Sequence, residues 1–393
     1  LFPYTTLFRS FIAKKHIFER KRQSLISMLG IAIGIIVLVV SIGIANGLDK
    51  NMIDSILSMT SHVLVSEGEN MSDYKELKSE IEKLDNVKGA VPSIETQGIF
   101  KYNGVYGGYI AGVRIEGFDL ESARKAMDLD KKLYEGSINP NKISGLLIGK
   151  ELAKNIGASV GDGVTIISSE NREIKFKIDG IFQSGYYDYD INMIIMPLKA
   201  AQYMMYSGDT VNKIDVVLND PYKAPEVANE IMTKLGAFSR TWGELNRNLL
   251  SALSLEKTVM IMVFSLIVII AGFVVWVTLN MLVREKIKDI GIMRSMGFSR
   301  KSIMKIFLIQ GMILGVTGII IGTLIALGML WYIKNYTLAF VTSIYYLTKI
   351  PVEISFNEVL IIIGANLGII FVSSVFPAYR AAKLEIVEAL RHE

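Results

Sequence analysis

Four stretches of this 393-residue chain carry no charged side chain: residues 23–48, 258–283, 306–333 and 359–379. A helix needs about 20 consecutive apolar residues to cross the hydrocarbon of a bilayer, where backbone polar groups find no water. All four stretches are long enough. A buried core helix of a water-soluble domain would give apolar runs of roughly 10–14 residues. The composition agrees, with 51% hydrophobic residues, 20% charged residues and a mean hydropathy of +0.39. At ~1.5 Å per residue the third stretch reaches roughly 42 Å, so it must tilt or project beyond the hydrocarbon. The first is too long for the apolar part of a signal peptide and lacks a clear small-residue cleavage site. The predicted fold class is membrane α-helical, with four transmembrane helices and a large α/β extracytoplasmic domain inserted between helices 1 and 2.

Orientation follows from lysine and arginine, which favour the cytoplasmic side of short loops. Lys14, Lys15, Arg20, Lys21 and Arg22 precede the first stretch. Arg284, Lys286, Lys288, Arg294, Arg300, Lys301 and Lys305 fill the link between the second and third. Arg380, Lys383 and Arg391 follow the fourth, while only Lys334 and Lys349 lie between the third and fourth. Both termini and the 284–305 link are expected in the cytoplasm, and 49–257 outside. The domain plan reads 11–22 as a cytoplasmic basic segment, 23–48 as transmembrane helix 1 and 49–257 as the extracytoplasmic domain. Helix 2 is 258–283, the cytoplasmic link 284–305, helix 3 306–333, an outer loop 334–358, helix 4 359–379 and a cytoplasmic tail 380–393. Residues 1–10 (LFPYTTLFRS) do not begin with methionine and resemble the translated tail of a sequencing adapter. They are read as a non-native leader. Segment 49–257 holds 24 of the 42 Lys and Arg and 30 of the 38 Asp and Glu, a net charge of −6. The remainder holds 18 and 8, a net of +10, which suits anionic lipid headgroups. The outer segment has no basic stripe for nucleic acid.

The outer segment is long enough to bury a core without disulfides, and the chain has no cysteine. Tyr74, Leu77, Ile81 and Leu84 recur at helical spacing behind Ser72 as a candidate cap, and Val227, Ile231 and Leu235 do so after Pro221. Phe176 and Ile178 alternate with Lys175, Lys177 and Asp179 as a strand, and Gly161-Asp162-Gly163 reads as a turn before a Val164–Ile167 strand. Two lobes are expected, one from roughly 49–110 and 205–257, the other inserted at about 111–204. Leu245, Leu249 and Leu253 form a stripe into helix 2, with Trp242 as an interfacial anchor.

Catalytic motifs are missing. Gly145-Leu-Leu-Ile-Gly149-Lys150-Glu151 has three residues between its glycines rather than four and lacks the Ser or Thr that would hold magnesium. No His-Glu-x-x-His occurs, and His16, His62 and His392 lie far apart in sequence. Neither a cofactor nor a metal site is predicted in this chain. The four apolar stretches hold no Asp, Glu, Lys, Arg or His, which an ion-coupled carrier would need near mid-membrane. Energy for transport must therefore come from another chain.

The apolar stretches do hold small residues four apart: Gly30 and Gly34, Gly43 and Gly47, Gly311 and Gly315, Gly318 and Gly322. Such spacing lets helices approach closely, within one subunit or against a second. Asn46, Asn280, Gln310 and Asn366 are lone polar groups suited to bridging helices. In the 284–305 link, Ile287, Ile290 and Met293/Arg294 mark a short amphipathic helix, Gly297 is a C′ residue and Ser299 an N-cap for helix 3. An apolar face on such a helix seeks a partner protein or lies in the headgroups.

The link, the following GFSRKSIMKIFLIQGMILGVTG and the C-terminal FPAYRAAKLEIVEALRHE resemble the FtsX-like permease domain of ABC transporters. The start (FERKRQSLISMLGIAIGIIVLVVSIGIANGLDKNMIDSILSMTSHVLV), IDGIFQSGYYDYD and TWGELNRNLLSALSLEK resemble lipoprotein-releasing permeases of the LolC/LolE type. The resemblance covers nearly the whole chain after residue 10. It implies a MacB-like outer domain between the first two helices, and pairing with a second permease subunit, the same or homologous. It further implies a cytoplasmic ABC ATPase dimer that holds ATP and Mg, and a lipoprotein substrate released from the outer leaflet. A soluble acceptor or adaptor is also implied. On this reading Lys286, Asp289, Ile290, Met293, Arg294, Met296 and Gly297 belong to the coupling helix. Met28, Leu38, Phe264 and Phe273 are candidate walls of an acyl-chain cavity, each equally suited to facing lipid. The alternatives are a MacB-like exporter of peptides or small amphiphiles and an FtsX-like mechanotransmission protein acting on a cell-wall hydrolase. Two departures stand out. Ser61-His62 replaces the family's frequent Pro-His. The hairpin at 164–178 turns tightly at Ile167–Ile174, where the carrier-capturing subunit has an extended hook.

Overall fold

The computed structural model describes residues 10–13, 15, 19, 21–67, 70–104, 107–139, 142–336 and 350–385. Most of the expected leader, residues 337–349 of the outer loop and residues 386–393 of the tail lie outside the described residues. The chain forms two compact units. Among the described residues, one takes the chain up to Lys50 and from Leu253 onward; the other is Asn51–Ala252.

In chain order the elements are α1 (Lys21–Met59), β1 (Val63–Val65), α2 (Tyr74–Ile81), β2 (Val87–Gly104), β3 (Gly107–Phe118) and α3 (Leu120–Ala126). A 3-10 turn (Leu129–Lys132) leads to β4 (Leu133–Gly136), β5 (Gly145–Gly149), α4 (Lys150–Ile156), β6 (Gly163–Ser168) and β7 (Glu173–Phe182). Then come α5 (Tyr187–Asn192), β8 (Met193–Pro197), α6 (Leu198–Met205), β9 (Lys213–Leu218), α7 (Ala224–Glu230), β10 (Ser239–Thr241) and α8 (Trp242–Leu245). The chain closes with α9 (Arg247–Glu285), α10 (Ile287–Ser295), α11 (Arg300–Asn335) and α12 (Phe356–Lys383).

Helices α1, α9, α11 and α12 are long and apolar enough to cross a membrane. Their shared core includes Ile31, Ile35 and Leu38 of α1, Val275 and Leu279 of α9, Leu314 and Ile319 of α11, and Ile362 and Ile370 of α12. Polar side chains on these helices mostly bond their own backbone: Thr278 to the Val274 carbonyl, Thr317 to Ile313 and Ser374 to Ile370. The expected bridging role of the lone amides is corrected for two of them. Asn280 and Asn366 donate to the Trp276 and Ile362 carbonyls one turn back, the local partner that an apolar surrounding leaves available. Asn46 does bridge, donating to Glu358 at 2.8 Å, and Glu358 also closes the capping box at Ser355 that starts α12. Gln310 is fully buried.

The other unit is built on one ten-stranded sheet with the order β10-β1-β9-β2-β3-β8-β5-β7-β4, and β6 pairs with both β2 and β7. Pairing is parallel between β3 and β8 and between β5 and β7, and antiparallel elsewhere. The two expected lobes are therefore joined by one sheet. The physical reason is β2, which pairs with β9 along Val87–Ser93 and with β6 along Gly98–Lys101. Side chains alternate across the sheet. Ile94, Ile115, Ile194 and Ile214 pack on one face with α2, α4, α6 and α7. Val91, Phe118, Ile195 and Val217 pack on the other with α3 and Met59. Gly117 is needed where α6 crosses β3, since a Cβ there would overlap that of Ala201.

The strands at 164–167 and 175–179 form as expected, within β6 and β7. Helix α2 starts behind Asp73 rather than Ser72; Ser72 donates to the Asp73 carboxylate, which occupies its hydroxyl. Trp242 packs on the sheet's core. Its indole N–H donates to the Pro221 carbonyl at 3.0 Å and its ring meets Tyr222 edge-on, so within this unit its polar tip already has a protein partner. The leucine stripe is interrupted at Asn246, between α8 and α9.

Candidate functional site

The link between α9 and α11 folds as α10, with Lys286 at its N-cap position. Lys286 pairs with Glu19 at 2.6 Å and with Asp289 at 2.9 Å. Burial lowers its pKa, but the hydrogen bonds and charges of Glu19 and Asp289 outweigh that and hold it above the usual lysine value. The helix ends in a Schellman motif: Phe298 N–H donates to the Met293 carbonyl at 3.1 Å and Gly297 N–H to the Arg294 carbonyl at 3.1 Å. Gly297 has φ +94°, a region that costs glycine little, and Ser299 accepts from Ser302 N–H to cap α11.

This geometry turns the expected apolar face inward. Ile290 is fully buried among Val283, Ile303, Ile306, Phe307, Ala378 and Ala381, with Met293 half-buried against the same cluster. Arg294 donates to the Phe298 carbonyl at 3.4 Å. The outward apolar pair is Ile292 and Met296, 50% and 73% exposed. Sequence reading missed Ile292, because α10 carries apolar residues on two sides and only its neighbours decide which side is covered.

The eight paired glycines all face helices or chain of the same protein. A Cβ on Gly30 or Gly34 would meet Val274 or Ile267 of α9 at 3.5 and 3.6 Å. Gly43 faces Leu330, and Gly47 lies against the Pro351 carbonyl. Gly311 and Gly315 face Ser374 and Ile370 of α12; Gly318 and Gly322 face Ile31 and Ala32 of α1. Gly364 and Gly368 on α12 have open space around them instead. The four candidate cavity residues differ in burial. Leu38 is buried in the helical core, Met28 and Phe264 are half-buried against it, and Phe273 is exposed, stacked on Trp276 with ring centroids 5.4 Å apart.

The sheet holds a group that sequence reading missed altogether. Glu95 on β2, Arg114 and Glu116 on β3, and Lys213 and Asp215 on β9 form one ionic cluster. Lys213 Nζ lies 3.0 Å from Glu95, 3.0 Å from Glu116 and 3.5 Å from Asp215. Arg114 pairs with Glu116 at 2.8 Å and Glu95 at 3.1 Å, and Ser93 donates to Asp215. Burial would lower the Lys213 pKa, but Asp215, Glu116 and Glu95 hold it above its usual range. Burial pushes Glu116 up despite the Lys213 and Arg114 charges. The signal was present as three triplets, Ser-Ile-Glu at 93–95, Arg-Ile-Glu at 114–116 and Lys-Ile-Asp at 213–215. Alternating charge reads as a solvated strand face until strand order brings the three together.

The β6–β7 turn is short, as its sequence implied, and it is pinned. The Arg172 guanidinium lies 4.3 Å from the Tyr203 ring centre and 4.0 Å from that of Tyr206, and donates to the Tyr203 carbonyl.

Comparison with known proteins covers both units. The family described as MacB-like periplasmic core domain matches residues 24–234, and the one described as FtsX-like permease C-terminal matches 261–386. The chain is 30% identical to the lipoprotein-releasing system transmembrane protein LolC of Xylella fastidiosa, over 94% of each chain. It is 26% identical to the lipoprotein-releasing system transmembrane protein LolE of Haemophilus influenzae, over 93% of each. The crystal structure of the periplasmic region of MacB from Actinobacillus actinomycetemcomitans aligns with a TM-score of 0.34 at 12% identity, covering 49% of this chain and 93% of that one.

Proposed function

We propose that this chain, which belongs to the family of permeases with a MacB-like periplasmic core domain and an FtsX-like C-terminal permease domain, is the membrane subunit of an ABC transporter that releases lipoproteins. On this reading α1, α9, α11 and α12 cross the bacterial cytoplasmic membrane, and the α/β unit stands outside between the first two. Both termini and α10 lie in the cytoplasm. Fuel comes from a separate ATPase dimer, which holds ATP and Mg, and a second permease subunit completes the transporter. The chain itself is a permease without a catalytic role.

The observation that carries the coupling role is α10. One side of it is anchored by Ile290 in the helical core, and the other offers Ile292 and Met296 to solvent. A helix fixed on one side and apolar on the other suits the transmission of a partner's movement into α9 and α11. Energetics restrict the substrate step. An acyl chain costs ~0.8 kcal/mol per methylene to expose, so three chains of about 15 methylenes would cost roughly 36 kcal/mol at once. Release must pass each chain from one apolar surface to another, with bilayer lipid at one end and an acceptor at the other.

The short, pinned β6–β7 turn favours a second reading for the outer step. It offers no extended hook to a soluble carrier, which fits either hand-over by the partner permease or a MacB-like export of amphiphiles. Reconstitution with the ATPase in liposomes carrying labelled lipoprotein separates these. ATP-dependent transfer of label to a soluble acceptor is the expected result. ATP hydrolysis with no transfer in the presence of acceptor and second permease would overturn lipoprotein release.

A further inference from the structure

His62 lies three residues past Met59, the end of α1, and is only 6% exposed. Four hydrogen bonds meet at this residue. Its backbone N–H donates to the Val216 carbonyl at 2.9 Å, and its carbonyl accepts from Trp242 N–H at 2.9 Å. Its ring Nδ1 accepts from the backbone N–H of Leu218 at 2.9 Å, and its Nε2 lies 3.3 Å from the Leu57 carbonyl. The chain leaving α1 and the chain starting α8 thus share β9 through one residue.

The ring's protonation state follows from these partners. A nitrogen that accepts from a backbone N–H carries no proton, so Nδ1 is bare and Nε2–H donates to Leu57. Only the neutral Nε2–H tautomer satisfies both ends. An imidazolium would place a second N–H against that of Leu218 and leave a buried donor without a partner. The charged groups that act on the ring are Lys88 of β2 and Lys132 of the 3-10 turn, both cationic. Asp128, whose charge also acts on Lys132, is paired with Lys88 at 2.6 Å and Lys131 at 3.0 Å. No carboxylate acts on His62 strongly enough to offset its burial, which lowers the ring's pKa.

We propose that His62 is a proton-operated latch: as a neutral imidazole it ties the last turns of α1 to β9, and on protonation it releases the Leu218 end of that tie. The inference stands apart from what the chain transports.

Hydrogen–deuterium exchange of the full chain in lipid nanodiscs tests it, read at the β9 peptide containing Leu218 and corrected for the intrinsic pH dependence of exchange. The opened ring titrates near the usual histidine value of about 6.5, while the latched ring resists protonation. Opening should therefore accelerate as the pH falls through about 6.5, by up to about tenfold between pH 7.5 and 5.5. His62→Asn keeps an acceptor for Leu218 that does not titrate, and its corrected exchange should be independent of pH over that range. Wild-type exchange without excess acceleration would overturn the latch, and that result needs no variant to fold. An equal acceleration in His62→Asn would overturn it too. Neither outcome bears on the permease reading, because no transport is measured.

Discussion

Lys213 Nζ lies 3.0 Å from Glu116 Oε2 across the intervening strand β2, with the two side chains 8% and 2% exposed. Removing one partner of a buried pair leaves the other charge unpaired, which costs about 3–5 kcal/mol. Lys213→Met should therefore destabilise the α/β unit by roughly 3 kcal/mol. Glu116→Gln should cost less, because burial already raises the pKa of Glu116 toward its neutral form. Thermal unfolding of the detergent-solubilised chain ranks the two variants. Equal losses would mean that Glu116 is as firmly ionised as Lys213.

Lys132 supplies a pH prediction. Burial lowers its pKa from 10.5 to about 8, against the attraction of Asp128. The folded state thus binds fewer protons than the unfolded state between about pH 8 and the unfolded value. Stability from this group rises with pH through that window, and below pH 8 the buried ammonium carries its full penalty. Lys132→Met should raise the melting temperature at pH 7.5 and flatten its rise toward pH 9.5. A variant that melts below wild type at pH 7.5 would show that the ammonium stabilises instead.

The two sides of α10 should separate coupling from folding. Ile292→Asp with Met296→Asp alters only exposed positions, so the melting temperature should stay within about 1 °C. ATP-driven lipoprotein release should fall at least tenfold, on the coupling reading. Met293→Asp places a charge against the cluster around Ile290 and should lower the melting temperature by several degrees. Full release activity in the Ile292/Met296 double variant would remove α10 from the coupling path.

Helix approach gives a paired test. A Cβ on Gly322 would lie 2.7 Å from the Ala32 carbonyl oxygen, whereas one on Gly364 meets nothing within 4 Å. Gly322→Val should destabilise the helical unit by roughly 1–3 kcal/mol through overpacking, and Gly364→Val should leave it unchanged. Unfolding in a denaturing detergent series reads the difference.

How much of this was legible in the sequence varies with the range of the interaction involved. The long helices were evident because charge is excluded over whole stretches. They run past those stretches, as α1 does from Lys21 to Met59, because a charged residue ends an apolar run without ending a helix. The β6–β7 hairpin was legible from alternation and a local turn. The caps at Ser299 and Gly297 are likewise local and appear where expected. The ionic cluster was not legible, because Glu95, Glu116 and Lys213 become neighbours only through strand order.

Residue order alone determined that four helices are apolar enough for a bilayer, that an α/β body with its own core accompanies them, and that a short helix with a glycine stop links two of them. These are short-range properties: charge exclusion, periodicity and capping act within a few turns. Only the tertiary structure decided that Ile290 faces inward while Ile292 and Met296 face outward, that one sheet joins both halves of the α/β body, and that the buried His62 ring accepts from Leu218. Each of these depends on which distant groups surround a side chain, and burial and hydrogen-bond partners are fixed by packing rather than by neighbours along the chain.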